Sequence, residues 1–401
     1  MLIKQQGPGF AEFIVLMALL TSLAAMSIDA MLPALSMIAD DLGAENNEQQ
    51  YVVSAFLLSF GIAQMFFGPL SDSLGRKPVI YLGIGVFVMG SIICIFASDF
   101  SDILIGRALQ GFGAGGPRVT IIALVRDKFK GNDMARVMSL VMMVFIMAPI
   151  LAPTIGQVIL LFAEWQWIFV FLIALAVSAV IWLALRQPET LSIENRRPFS
   201  VPQIALAVVE IFRIRVSIGY TLMSGLMFSA FVGYLSSAQQ VFEITYELGD
   251  LFPLYFAILA SGLGLASYSN SRLVYKFGMR RLCRTAAVFS SCLSVVFVGV
   301  VYGMNGIPPL SLFMAFMLPA FFCFGILFGN CVALAMEPLG HIAGVGASVV
   351  GSISSLVSVP LGALIGQQFN GTVFPLVCGF AIFSVITLGL MYWVEYGKKE
   401  C

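Results

Sequence analysis

The chain has 401 residues, 60% hydrophobic and 10% charged, with 21 basic and 21 acidic side chains and a mean hydropathy of +0.98. A soluble chain carries about 25% charged residues, so a soluble fold is excluded and an all-α integral membrane protein is expected. Zero net charge offers nucleic acid nothing to bind, and one histidine, His341, with seven scattered cysteines makes neither a metal cluster nor a disulfide framework.

Apolar runs of spanning length, about 20 residues per helix, fall at 12–35, 49–70, 78–98, 102–125, 135–163 and 166–186. A second set follows at 215–240, 248–269, 284–304, 309–335, 342–367 and 372–394. The ten-residue alternation of a membrane β-barrel is absent. The first run ends without a small-residue cleavage site, so no cleaved signal peptide is expected. Between the two sets, residues 187–214 are polar at first and then amphipathic, and 203–213 read as a helix lying at the membrane surface. The expected organisation is a six-helix bundle over 1–187, a cytoplasmic linker over 188–214 and a second six-helix bundle over 215–401.

Charge placement supports the count of twelve. Of the 21 basic residues, Arg107 and Arg118 fall in the fourth span; the other 19 lie at the termini or beside the loops after spans 2, 4, 6 and 8. The opposite loops carry only acids, among them Asp40, Asp41, Asp99, Glu164 and Asp250. The positive-inside rule then puts both termini in the cytoplasm. Gly75-Arg76-Lys77 after span 2 is echoed by Gly278-Met279-Arg280-Arg281 after span 8, a weak internal repeat of the kind built into two pseudo-symmetric bundles.

Ionisable groups inside apolar runs mark function by default. Asp29, in the stretch SIDAMLP of span 1, and Arg107, in span 4, lie at matching depth, which predicts a direct or water-bridged pair. Burial favours the neutral form of a carboxyl and a nearby arginine favours the charged form, so a pair that opens and closes could take up and release a proton. Pro33 can bend span 1 beyond Asp29. Gly111-x-Gly113-x-x-Gly116 matches a dinucleotide fingerprint in letters only: it sits in a spanning helix with no strand before it. Arg118 either reaches the inner interface or lines the central cavity, where it would favour a negative or strongly polar group.

Three segments carry a family likeness. The loop after span 2 reads Gly68-Pro69-Leu70-Ser71-Asp72-Ser73-Leu74-Gly75-Arg76-Lys77; span 4 reads Arg107-Ala108-Leu109-Gln110-Gly111-Phe112-Gly113; span 5 holds Ala148-Pro149 and Ala152-Pro153-Thr154-Ile155-Gly156. They resemble the loop, span-4 and antiporter signatures of the major facilitator superfamily. SIDAMLPAL, ALVRDKF at 123–129 and EPLGHIAG at 337–344 resemble its bicyclomycin-resistance and chloramphenicol-efflux subfamily of drug:proton antiporters. In span 5, Ala152 and Gln157 stand where glycines are usual.

The resemblance implies the major facilitator fold of twelve helices in two six-helix bundles. It implies a proton site at Asp29 with Arg107, and gating by Gly68, Asp72, Gly75, Arg76 and Lys77, with Arg126 the expected partner of Asp72. Pro149, Pro153 and Gly156 would bend and pack span 5. A central cavity lined from spans 1, 4, 5, 7, 8, 10 and 11 would draw on Met26, Gln110, Met147, Tyr220, Met223, Phe228, Tyr234, Tyr255, Phe322 and Asn330. The expected function is a proton-coupled exporter of small, mostly apolar compounds, working by alternating access as a monomer in the bacterial inner membrane. It would use the proton gradient, no cofactor and no enzymatic step. A transporter of one specific metabolite or chelator, or a non-transporting receptor on the same fold, are the alternatives.

Overall fold

The computed structural model describes residues 8–45, 47–129 and 131–396. Cys401 and both chain ends, expected in the cytoplasm, lie outside them. Among the described residues all regular structure is helical. The helices are α1 Phe10–Asp29, α2 Leu35–Leu42, α3 Gln50–Leu74, α4 Arg76–Ile95, α5 Phe100–Lys128, α6 Gly131–Leu160 and α7 Gln166–Arg186. After the polar stretch come α8 Val201–Arg213, α9 Arg215–Gln240, α10 Phe252–Phe277, α11 Met279–Gly303, α12 Leu310–Met336, α13 Ala343–Gln367 and α14 Phe374–Tyr396.

Among the described residues eleven helical stretches are long and apolar enough to cross a membrane; the first, Phe10–Leu42, joins α1 and α2 across a break. The twelfth expected span is α5, which has 29 residues but is diluted by Arg107, Gln110, Arg118 and five glycines. Its length exceeds the 20 residues or so that a bilayer needs, so the twelve-span reading keeps it. The first span runs past the expected end near residue 35, because the chain resumes a helix after Pro33.

The chain divides into two compact units, Met1–Gly43 with Ala55–Ile204, and Ala44–Ser54 with Ala205–Cys401. In the first, α4 packs along α5 while α1 packs against α5, α6 and α7. In the second, α9 packs against α12, α13 and α14, and α11 against α12 and α14. The first turn of α3 therefore belongs to the second unit and the rest of that helix to the first.

A net of uncharged amides holds that first turn. Asn47 Nδ2 donates to the carbonyls of Gln367 and Phe369, Gln50 Nε2 donates to Gly366 O and Gln240 Oε1, and Gln240 Nε2 donates to Asn47 Oδ1. Gln367 Nε2 returns a bond to Asn47 O at 2.9 Å. The Asn47 and Gln50 donors meet carbonyls at and just beyond the C-terminal end of α13, where the helix leaves carbonyls in need of donors.

Candidate functional site

The site begins at the break in the first span. α1 ends at Asp29, the Ala30 N–H closes on Met26 O at 3.0 Å, and a short 3-10 turn over Leu32–Ala34 holds Pro33, which has no N–H to give. A helix that stops inside the protein leaves its last carbonyls needing donors. Arg107 supplies one: its Nη1 donates to Ser27 O at 3.1 Å. The same nitrogen bonds Gln110 Oε1, Gln110 Nε2 donates to Ser91 Oγ at 2.8 Å, and the Phe56 ring lies 4.5 Å from the guanidinium.

The direct form of the expected Asp29–Arg107 pair is not made among the described residues. Arg107 is buried and reaches the segment of α1 that carries Asp29, but it binds that segment's backbone two residues upstream. Asp29 is 5% exposed, and its carboxyl makes no ion pair or hydrogen bond among the described residues. Matching depth along two helices did bring the chains together; the free carbonyl at the break took the arginine.

α6 closes over the same break. Pro149 and Pro153 lie inside this helix, and a Cβ on Gly156 would overlap the carbonyl oxygen of Ala30. The glycine is thus required by contact with the residue next to Asp29. The dinucleotide pattern is packing of the same kind: a Cβ on Gly111 would overlap Phe56 O, and one on Gly113 would overlap Phe87 N.

The loop signature forms a second cluster. Arg76 is buried, with Nη1 on Asp72 Oδ1 at 2.6 Å and on Ser71 Oγ at 2.9 Å, and Nε on Asp127 Oδ2 at 2.8 Å. Ser71 Oγ in turn donates to Gly68 O at 2.9 Å. Asp72 therefore pairs with Arg76, and the expected partner Arg126 is exposed on α5. One helix position decides this, because Asp127 and not Arg126 faces the loop.

Residues 188–197, expected as a linker, fold onto the loop. Glu189 accepts the N–H groups of Arg76 and Lys77 at 3.0 and 2.9 Å, an anion at the positive end of α4. Lys77 Nζ donates to Ala184 O at 3.3 Å and Arg197 N to Asp72 O at 3.0 Å. Gly75 sits at φ 108°, and a Cβ there would be 2.9 Å from the Glu189 carboxylate. Both its conformation and its neighbour demand glycine. Arg76→Ala leaves two carboxylates without their cation, so it is expected to cost about 1–3 kcal/mol and to lower the melting temperature in detergent. Arg126→Ala is expected to leave that temperature unchanged.

The expected cavity residues separate into groups. Met26 and Gln110 are buried in the first unit near the break, whereas Met147 is 47% exposed on α6. In the second unit Phe228 and Tyr234 join a ring cluster. Phe231 and Phe324 stack at 4.9 Å, Tyr234 meets Phe321 edge-on at 4.8 Å, and Phe228 lies 5.3 Å from Phe328. Tyr255 stacks on Phe242 instead, and Phe322 is half-buried. Met223 is buried, Tyr220 donates to Glu395 at 3.3 Å, and Asn330 exchanges two amide bonds with Asn270 across α10 and α12. Sequence reasoning missed Ser27, Asp127, Glu189 and Asn270. Asp127 and Ser27 had a signal, being in the quoted ALVRDKF and SIDAMLP.

The Major Facilitator Superfamily model matches residues 17–362. The chain is 30% identical over 393 residues to the MFS-type transporter YdgK of Bacillus subtilis, covering 96% of this chain and 95% of that one. It is 27% identical to a bicyclomycin resistance protein homolog of Haemophilus influenzae, over 95% and 96% of the two chains. It is also 27% identical to multidrug resistance protein D of Escherichia coli, over 90% and 91%. Among solved structures, the human organic anion transporter MFSD10 (TETRAN) shares the fold with a TM-score of 0.69 at 16% identity, over 97% of this chain and 100% of that one. With these helices, these signatures and a match across most of its length, the chain belongs to the major facilitator superfamily.

Proposed function

We propose that this chain is a proton-coupled secondary transporter that exports small, mostly apolar compounds by alternating access. The observation that carries the proposal is Asp29, a buried carboxyl at the break in the first span with no ion pair among the described residues. A group placed so gains and loses a proton without first breaking a salt bridge. Relatives named for bicyclomycin and multidrug resistance support drug efflux as the direction of use. The lysine and arginine asymmetry supports cytoplasmic termini in a bacterial inner membrane. The unit acts as a monomer and draws on the proton gradient alone.

Proteoliposomes loaded at acidic pH with a luminal pH dye test this. Adding bicyclomycin, chloramphenicol or ethidium outside is expected to raise luminal pH as protons leave in exchange. A lumen that stays acidic with every compound of the panel refutes the proposal. Mutual competition among chemically unlike compounds is expected; rejection of all but one class would favour a specific transporter.

A further inference from the structure

Arg118 is the one intramembrane cation that the break and the loop cluster leave unused. It stands on α5 ten residues before Lys128, the last residue of that helix, which at 1.5 Å per residue is about 15 Å from the helix end. An arginine so deep in a span is costly unless it has a partner or a task. Three observations bear on which it has. Its Nη1 is enclosed by the protein with no hydrogen-bond partner among the described residues. Its guanidinium lies 5.3 Å from the centroid of the Phe145 ring on α6, so the side chain turns toward the neighbouring helix and does not run along α5 to the interface. Three acids of the same unit are engaged by other arginines, Asp72 and Asp127 by Arg76 and Glu12 by Arg186.

A cation–π contact leaves the charge and the N–H fork in place. An enclosed donor without an acceptor is destabilising, and it gains most from an acceptor that arrives with a ligand. The residue as a whole is half-buried, with Nη1 on its enclosed side. A planar fork beside an aromatic ring matches one ligand chemistry: a carboxylate, or another planar oxyanion, on an aromatic or apolar body. We infer that Arg118, with Phe145, is a specificity-determining site for amphipathic organic anions. This names a substrate class for the transporter proposed above and rests on that proposal. It also makes the first unit bifunctional in charge, with a titrating acid on α1 and a permanent cation on α5.

Equilibrium binding of 2-naphthoate and of its uncharged isostere 2-naphthamide to the detergent-purified protein tests the inference without requiring transport. Wild type is expected to bind the anion at least about tenfold more tightly than the amide, the worth of one charge-assisted hydrogen bond. Arg118→Gln is expected to abolish that preference, and Arg118→Lys to retain part of it. Equal affinity of wild type for the two compounds overturns the inference, as does an undiminished preference in Arg118→Gln. If Arg118→Gln does not fold, the wild-type comparison and Arg118→Lys decide. Failure of the pH-dye experiment together with a preserved anion preference would strike the proton-coupled transport proposal and leave the site standing. The reverse pattern would strike the site alone.

Discussion

Asp29→Asn is expected to fold, to bind compounds and to move no protons. Asparagine keeps the shape of the side chain and adds nothing that titrates. The carboxyl makes no ion pair or hydrogen bond among the described residues, so the substitution breaks no contact there that holds α1. Stability should therefore change by no more than about 1 kcal/mol, which a melting curve in detergent will show. Substrate-driven alkalinisation of the proteoliposome lumen, by contrast, should vanish, while downhill exchange of a labelled compound persists without pH dependence. Arg107→Gln tests the neighbouring arginine. Losing it removes the donor to Ser27 O, so it should lower stability as well as coupling. An Asp29→Asn protein that still exchanges protons for substrate at the wild-type rate would show that Asp29 is not the coupling residue.

The second large effect is steric. Gly156→Ala places a methyl group against the backbone carbonyl of Ala30, and neither atom belongs to a flexible side chain. Relief needs either α6 or the break after Asp29 to move. Overpacking of this kind typically costs 1–3 kcal/mol and more where backbone is the obstacle. Gly156→Ala is expected to lie at or beyond the top of that range, and Gly156→Val is expected to yield no monodisperse protein on size exclusion. Gly85→Ala on α4 is the control: a Cβ there meets nothing within 4 Å. It should be neutral or stabilising by about 0.5–1 kcal/mol, the usual gain from replacing a helical glycine. Equal melting temperatures for the two alanine variants would refute the contact.

Much of this architecture was legible in the sequence because a membrane imposes few choices. Apolar runs give the spans, and lysine and arginine fix where the loops lie, so α5 was recognisable as a span through its flanking charges despite its low apolarity. Asp29, Arg107 and Arg76 stood out for the same reason, as charges in or beside hydrocarbon. What could not be read was which atom each would meet. Depth along a helix follows from counting residues, but rotation about its axis does not, and that separates Asp127 from Arg126 as the partner of Arg76. Backbone partners are less visible still. Ser27 O became available to Arg107 only because α1 stops at Asp29, a break that sequence placed nearer Pro33. Glu189 looked like linker because its task, accepting two N–H groups at the start of α4, needs only a carboxylate on a reachable strand of chain.

The sharing of α3 between the two units has a consequence for how the protein can be taken apart. The amide donors that cap the end of α13 come from Asn47 and Gln50, about 150 residues upstream of the point near Ile204 where the second unit otherwise begins. The second unit is thus not a contiguous stretch of the gene. A fragment starting at Ala205 would lack those donors, and a fragment ending at Ile204 would carry them with no carbonyls to meet. Split expression at the polar stretch therefore cuts through one folded body, whereas a circular permutant that keeps residues 44–54 joined to α3 does not.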